Sequence, residues 1–227
     1  MLAIKHNRGL EEIESLRREL VNDQSPVEGQ DFGAGSRVVN AKNKKTIAGI
    51  ARYGISSKKD CIFLYEIIKM IQPKTCIELG TSLGIATAYI SKSAVKGQVY
   101  SFEGNEDLVA FSTEVLNKLD CKNVQIIQGD IDRKLPEFLS EIHKIDFALI
   151  DANHTEKALL TYFDMLHLKI VPGGIIVIDD IRWSREMYWA WEKALANMHV
   201  SISIEFLNKG LLIFDLGISK QHYVLSY

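Results

Sequence analysis

The chain has 227 residues, 47% hydrophobic and 25% charged, a composition that builds an ordinary globular core and needs no staples. A net charge of −2 without any basic run makes nucleic acid and anionic membrane poor default partners. Cys61, Cys76 and Cys121 are odd in number, far apart and form no Cys-x-x-Cys pair, which argues against a disulfide framework or a thiolate zinc site and fits a reducing compartment.

The N-terminus, Met1 to His6, lacks the apolar stretch of a signal peptide. No window approaches the roughly 18 uninterrupted apolar residues of a membrane span. The expectation is therefore a cytoplasmic protein.

In chain order, apolar residues at Leu10, Ile13, Leu16, Leu20 and Val21 among Glu and Arg predict an amphipathic helix, closed by the turn cluster Asn22 to Pro26. The glycine-rich stretch Asp31-Phe32-Gly33-Ala34-Gly35-Ser36 reads as a connector or as a lid over a ligand. Helical stretches follow near Lys42–Arg52 and Asp60–Ile71. Residues 1–55 are read as a helical cap or lid segment, and 56–227 as the main domain.

From Thr75 the pattern changes. Short apolar runs at Thr75–Leu79, Gln98–Phe102, Val124–Gln128, Ile145–Ile150 and Ile175–Ile178 alternate with amphipathic stretches. The spacing, about 20 residues, is long enough for crossover helices. Near-continuous apolar runs indicate strands covered on both faces, as in a parallel sheet. Ser201–Leu207 and Leu211–Leu216, joined by Asn208-Lys209-Gly210, read as a β-hairpin. The expected fold is α/β: a Rossmann-like doubly wound, mostly parallel seven-stranded sheet with an antiparallel C-terminal hairpin and an N-terminal helical cap.

Ligands of such sheets bind beyond the carboxyl ends of the strands. After the first strand the chain reads Glu78-Leu79-Gly80-Thr81-Ser82-Leu83-Gly84. Gly80 allows a tight turn, Gly84 allows close helix packing, and the backbone N–H groups face the ligand. The spacing is Gly-x-x-x-Gly, unlike the Gly-x-Gly-x-x-Gly of dinucleotide enzymes. Glu103 ends the second strand, 23 residues after Gly80, where a carboxylate can accept from both hydroxyls of a ribose, with Gly104 beside it. The alternative for Glu103 is an acid favoured by a helix N-terminus. Asp130, after the third strand, is placed to accept from an adenine amino group, and Ile131 to cover the ring. Asp151 follows the fourth strand, and Asp179 and Asp180 follow the fifth.

These residues resemble the class I S-adenosylmethionine-dependent methyltransferases, nearest the catechol O-methyltransferase-like small-molecule branch, over roughly residues 56–180. The turn Glu78 to Gly84 looks like that family's first motif, Glu103 like its ribose-binding acid, Gly129-Asp130 like its adenine-side motif, and Pro172-Gly173-Gly174 like the turn before its fifth strand. The resemblance implies S-adenosylmethionine as cofactor, held by Ser57, Glu78, Gly80, Thr81, Ser82, Gly84, Glu103, Gly104, Asp130, Ile131 and Asp151. It implies a small-molecule acceptor methylated at oxygen.

In the metal-dependent members, carboxylates after the fourth and fifth strands bind Mg²⁺, which maps onto Asp151, Asp179 and Asp180. The other reading has Asp151 facing the sulfonium and Asp179 and Asp180 capping the next helix. His154 stands where the catechol enzymes carry a catalytic Lys, so His154 and Asp151 are the candidate catalytic residues. Against this, Asn153 and Glu156 look like a helix-capping pair with His154 as the first exposed residue. The aromatic cluster Trp183, Met187, Tyr188, Trp189 and Trp191 suits the acceptor pocket, the core or a homodimer interface. Two other functions share much of this pattern: a nicotinamide-dependent oxidoreductase, and an S-adenosylmethionine-binding protein without turnover.

Overall fold

In the computed structural model, residues 8–29 and 46–225 are described. The Asp31–Ser36 stretch lies outside them. Five strands run parallel: β1 (Thr75–Leu79), β2 (Gln98–Glu103), β3 (Val124–Gln128), β4 (Ile145–Ile150) and β5 (Ile170–Ile178). The sheet continues through β6 (Val200–Glu205), β7 (Gly210–Phe214) and β8 (Gln221–Val224), in the order β3-β2-β1-β4-β5-β7-β6-β8. Strand β7 is antiparallel to both its neighbours, β5 and β6, and β8 runs parallel to β6.

The apolar strand sequences follow from double coverage. Ile77, Leu79, Ala148 and Ile150 face the layer of α6 (Ile131–Glu141), α7 (Glu156–His167) and α8 (Arg185–Ala196). Their sequence neighbours Cys76, Phe147 and Leu149 face α3 (Lys58–Ile71) and α4 (Ile85–Ser93). Alternation with period two therefore buries all of β1 but Thr75 and all of β4 but Asp146. Helix α5 (Glu106–Lys118) completes the second layer beside β2 and β3.

The doubly wound sheet and the reversed hairpin are as the sequence predicts, with one strand more. Strand β8 is exposed along its whole length, so it carries no hydrophobic alternation to read.

Helix α1 (Arg8–Leu20) lays Leu10, Ile13, Leu16 and Leu20 against Leu83, Ile85, Ala88 and Tyr89. Glu14 accepts from the Tyr89 hydroxyl at 2.8 Å and from Arg17 Nε at 3.0 Å. Arg17 Nη1 donates to the Ser56 carbonyl at 2.7 Å, which ties this helix to the chain entering α3. The Cys61 thiol beside it is pushed up to about 12 by burial, opposed by Arg17, so it stays neutral and unreactive. Helix α2 (Ile47–Tyr53) starts later than its sequence pattern suggests, because the Thr46 hydroxyl accepts from Gly49 N–H and caps it there. No helix among the described residues is long and apolar enough to cross a membrane.

Candidate functional site

The strand order reverses between β1 and β4, and the carboxyl ends of the strands open there onto a cavity of about 460 Å³. Main-chain bonds hold its rim. Gly80 and Thr81 donate to the Phe102 carbonyl at 3.0 and 3.1 Å, Asp151 donates to Leu79 at 3.0 Å, and Asp179 donates to Ile150 at 2.9 Å.

Gly80 has φ +106°, and a Cβ there would run into the Asp151 carbonyl oxygen. Gly80→Ala is expected to cost on the order of 2 kcal/mol of stability, because both the backbone angle and the neighbouring strand end resist it. Urea unfolding checks this, and an unchanged midpoint would contradict it.

Ser82, with φ +50°, donates its N–H to Glu103 Oε2 at 2.8 Å. The other oxygen, Oε1, accepts from Asn105 N–H at 2.9 Å. Glu103 thus couples the turn after β1 to the end of β2. It does not cap α5, a task that falls to Asn105, whose side chain accepts from Leu108 N–H at 3.1 Å. Gly104 lies beside Glu103 on the cavity wall, and Asp130 and Ile131 line it from the end of β3. Asp130 also caps α6, accepting from Asp132 N–H at 3.0 Å. Ser57 lines the opposite side and caps α3, exchanging hydrogen bonds with Asp60.

Three residues expected at the cofactor do not line the cavity. Glu78 is fully buried below it, and its Oε2 accepts from Thr87 at 2.6 Å and from Ser101 at 2.5 Å. Its Oε1 has no hydrogen-bond partner among the described residues. Desolvation pushes this carboxyl up to about 7, opposed by those two hydroxyls and supported by Glu103. Thr81 turns its hydroxyl inward to Ser101, at 2.5 Å. Gly84 starts α4 with φ +77° and packs on α5, where a Cβ would stand 3.2 Å from that of Ser112.

On the far side of the cavity stand Asp151, Asp179, Asp180 and His154. His154 Nε2 is 3.8 Å from Asp180 Oδ2, and its ring lies 5.3 Å from that of Trp183. The helix behind it is capped by Thr155, which accepts from Ala158 N–H at 3.3 Å. Asn153, with φ +53°, instead donates to the Tyr162 hydroxyl, so the capping pair read from Asn153 and Glu156 is not formed and His154 stays in the loop. Nor do Asp179 and Asp180 cap α8, since Ser184 does so by accepting from Met187 N–H. Asp151 is pushed well above the carboxylate range by desolvation, then by Asp179, Asp180 and Glu78, with Lys209 opposing. Asp180 is raised by desolvation and Asp179, against the pull of His154 and Lys209.

Lys209 is the residue that sequence reasoning missed. It lines the cavity while only 4% exposed, ion-paired to Asp179 and 3.8 Å from Asp60 Oδ1. Burial alone would lower the affinity of this ammonium for its proton, but Asp179, Asp60 and Asp151 together outweigh burial and raise it. The trio Asp151, Asp179 and Asp180 does not fit Mg²⁺ in this arrangement. Asp179 is already engaged by a cation, and among the described residues no group of three His, Cys, Asp or Glu side chains is placed to hold a metal.

Residues 77–181 match the family model described as "Methyltransferase domain". Protein-L-isoaspartate O-methyltransferases from Pyrococcus abyssi and Pyrococcus horikoshii are each 34% identical over 82 residues, 36% of this chain. The chain spans 38% and 37% of the length of these relatives. Among solved structures, an O-methyltransferase from Bacillus cereus in complex with SAH superposes with a TM-score of 0.65 at 16% identity, over 94% of this chain and 93% of that one. The O-methyltransferase TomG from Streptomyces achromogenes, in complex with SAM, gives 0.65 at 14%, over 94% and 92%. Such identities establish the shared fold. Residues 77–181, which carry the glycine turn after β1 and the acids at the strand ends, are thus similar to a methyltransferase domain, and the sheet they belong to has the fold of these O-methyltransferases.

Proposed function

We propose that the chain transfers the methyl group of S-adenosylmethionine to an oxygen of a small-molecule acceptor. The observation that carries this reading is the Glu103 carboxylate, tied at 2.8 Å to the turn after β1 on a cavity that Asp151 and His154 also line. The wall suits the cofactor chemically. Glu103 offers acceptors to a vicinal diol, and Asp130 and Ile131 offer an acceptor and an apolar cover to a purine. The turn Gly80 to Ser82, with Gly104 and Ser57, borders the remainder of the cofactor, and Asp151 faces its positive charge.

S-adenosylmethionine supplies an electrophilic methyl group, and the chain must align an acceptor oxygen with it and keep water out. In this reading His154 takes the acceptor's proton. The Asp180 carboxylate 3.8 Å away then steadies the imidazolium, and Trp183 holds the ring in place.

Calorimetry with S-adenosylhomocysteine tests the reading. The wild-type chain is expected to bind one molecule. Glu103→Gln is expected to weaken binding roughly tenfold, the loss of about 1.5 kcal/mol from a charged hydrogen bond. No heat with the wild type, or equal affinity in the variant, would overturn it.

A further inference from the structure

The carboxylates on the far side of the cavity would repel one another if nothing positive stood among them. The chain supplies that charge from an unexpected place, the turn between β6 and β7. Phe206 N–H closes this turn on the Lys209 carbonyl at 2.7 Å, and Ile181 N–H donates to the Asn208 carbonyl at 3.0 Å, which fastens the turn to the loop after β5. Gly210 then lies directly against the Trp191 ring, with no room for a side chain between them. Main chain and core packing thus deliver the Lys209 ammonium to Asp179, itself 6% exposed, with Asp60 at 3.8 Å. A divalent ion bound by Asp151, Asp179 and Asp180 would need the same carboxylate and would stand against a buried positive charge.

We infer that Lys209 is the resident cation of this site and excludes a divalent metal from Asp151, Asp179 and Asp180. Its exclusion of metal follows from the ion pair and the packing. What the cation serves, an acceptor oxygen gaining negative charge as its proton leaves, rests on the methyl-transfer reading. Lys209 reaches that charge as part of the cavity wall, and the acceptors it favours bear a hydroxyl that ionises as it reacts.

Mn²⁺ titration of the full chain, followed by water-proton relaxation, tests the inference without an acceptor. The wild type is expected to show no saturable site. Lys209→Met keeps most of the stem and removes the charge. It is expected to gain one saturable site per chain, and adding Asp179→Asn should abolish that site. One Mn²⁺ bound per wild-type chain and lost in Asp179→Asn would overturn the inference. So would a folded Lys209→Met, checked by circular dichroism, that gains no site. Should Lys209→Met not fold, Lys209→Arg retains the charge and must remain free of Mn²⁺, as the wild type must; a site in either overturns the inference. Calorimetry with S-adenosylhomocysteine runs in parallel. Silence there, with the expected Mn²⁺ pattern, sinks the methyl-transfer reading alone. Cofactor binding together with Mn²⁺ uptake by the wild type sinks this inference alone.

Discussion

Between pH 4.5 and pH 7 the unfolding free energy is expected to fall by about 3 kcal/mol more in the wild-type chain than in a Glu78→Gln variant. Burial raises the Glu78 carboxyl to about 7 in the folded chain, so the folded state keeps its proton after the unfolded chain has begun to release it at about 4.5. The stabilisation is therefore complete below pH 4.5, is lost as the pH rises, and is gone above pH 7. The Gln carbonyl can accept from Thr87 and Ser101 as the carboxylate oxygen does, so the variant keeps those bonds without the titration. Asp151 and Asp180 are raised as well and tilt both proteins the same way, which is why the difference between the two curves is the quantity to measure. Urea unfolding at a series of pH values gives it. Parallel curves would mean that Glu78 is ionised in the folded chain.

Trp191→Ala is expected to have a comparable or larger effect, about 3–5 kcal/mol of stability, or roughly 10 °C in Tm for a chain of this size. The ring is fully buried at the meeting of α8 with the β6–β7 hairpin, and it fills the space against Gly210. Its Nε1 donates to Glu205 Oε2 at 3.1 Å, and Glu205, itself 3% exposed, keeps an ion pair with Arg182. The substitution removes the packing and one donor to a buried carboxylate together. Binding of S-adenosylhomocysteine at low temperature should stay near the wild-type value, because Glu103 and the turn after β1 belong to the other end of the cavity. Thermal unfolding followed by circular dichroism checks the first outcome and calorimetry the second. A Tm within a degree or two of wild type would show that the hairpin does not depend on this ring.

The parts of the site that could be read in the chain are those placed by local rules. Gly80 and Glu103 stand at ends of strands, and strand ends are set by where an apolar run stops. Glu78 sits in the same run, yet it does not line the cavity. Two-residue alternation puts it on the same face as Cys76, so its carboxylate meets Thr87 of α4 and Ser101 of β2 instead of the cavity beyond the strand end. Asn153 and Thr155 are both competent caps by type. Thr155 is the cap because Asn153 takes a left-handed angle and bonds Tyr162. Strand β8 escaped notice because nothing in its own sequence is buried.

What the sequence by itself determined was the doubly wound sheet, the glycine turn after β1 and the row of acids at the strand ends, since periodicity and turn chemistry act over a few residues. Only the tertiary structure decided what those acids face. Lys209, in a hairpin turn, reads as a solvated lysine, and it becomes a buried cation because β7 inserts between β5 and β6 and carries it to Asp179, 30 residues earlier in the chain. The charge of such a site depends on which strands become neighbours, and strand order is a property of the folded sheet that no local pattern encodes.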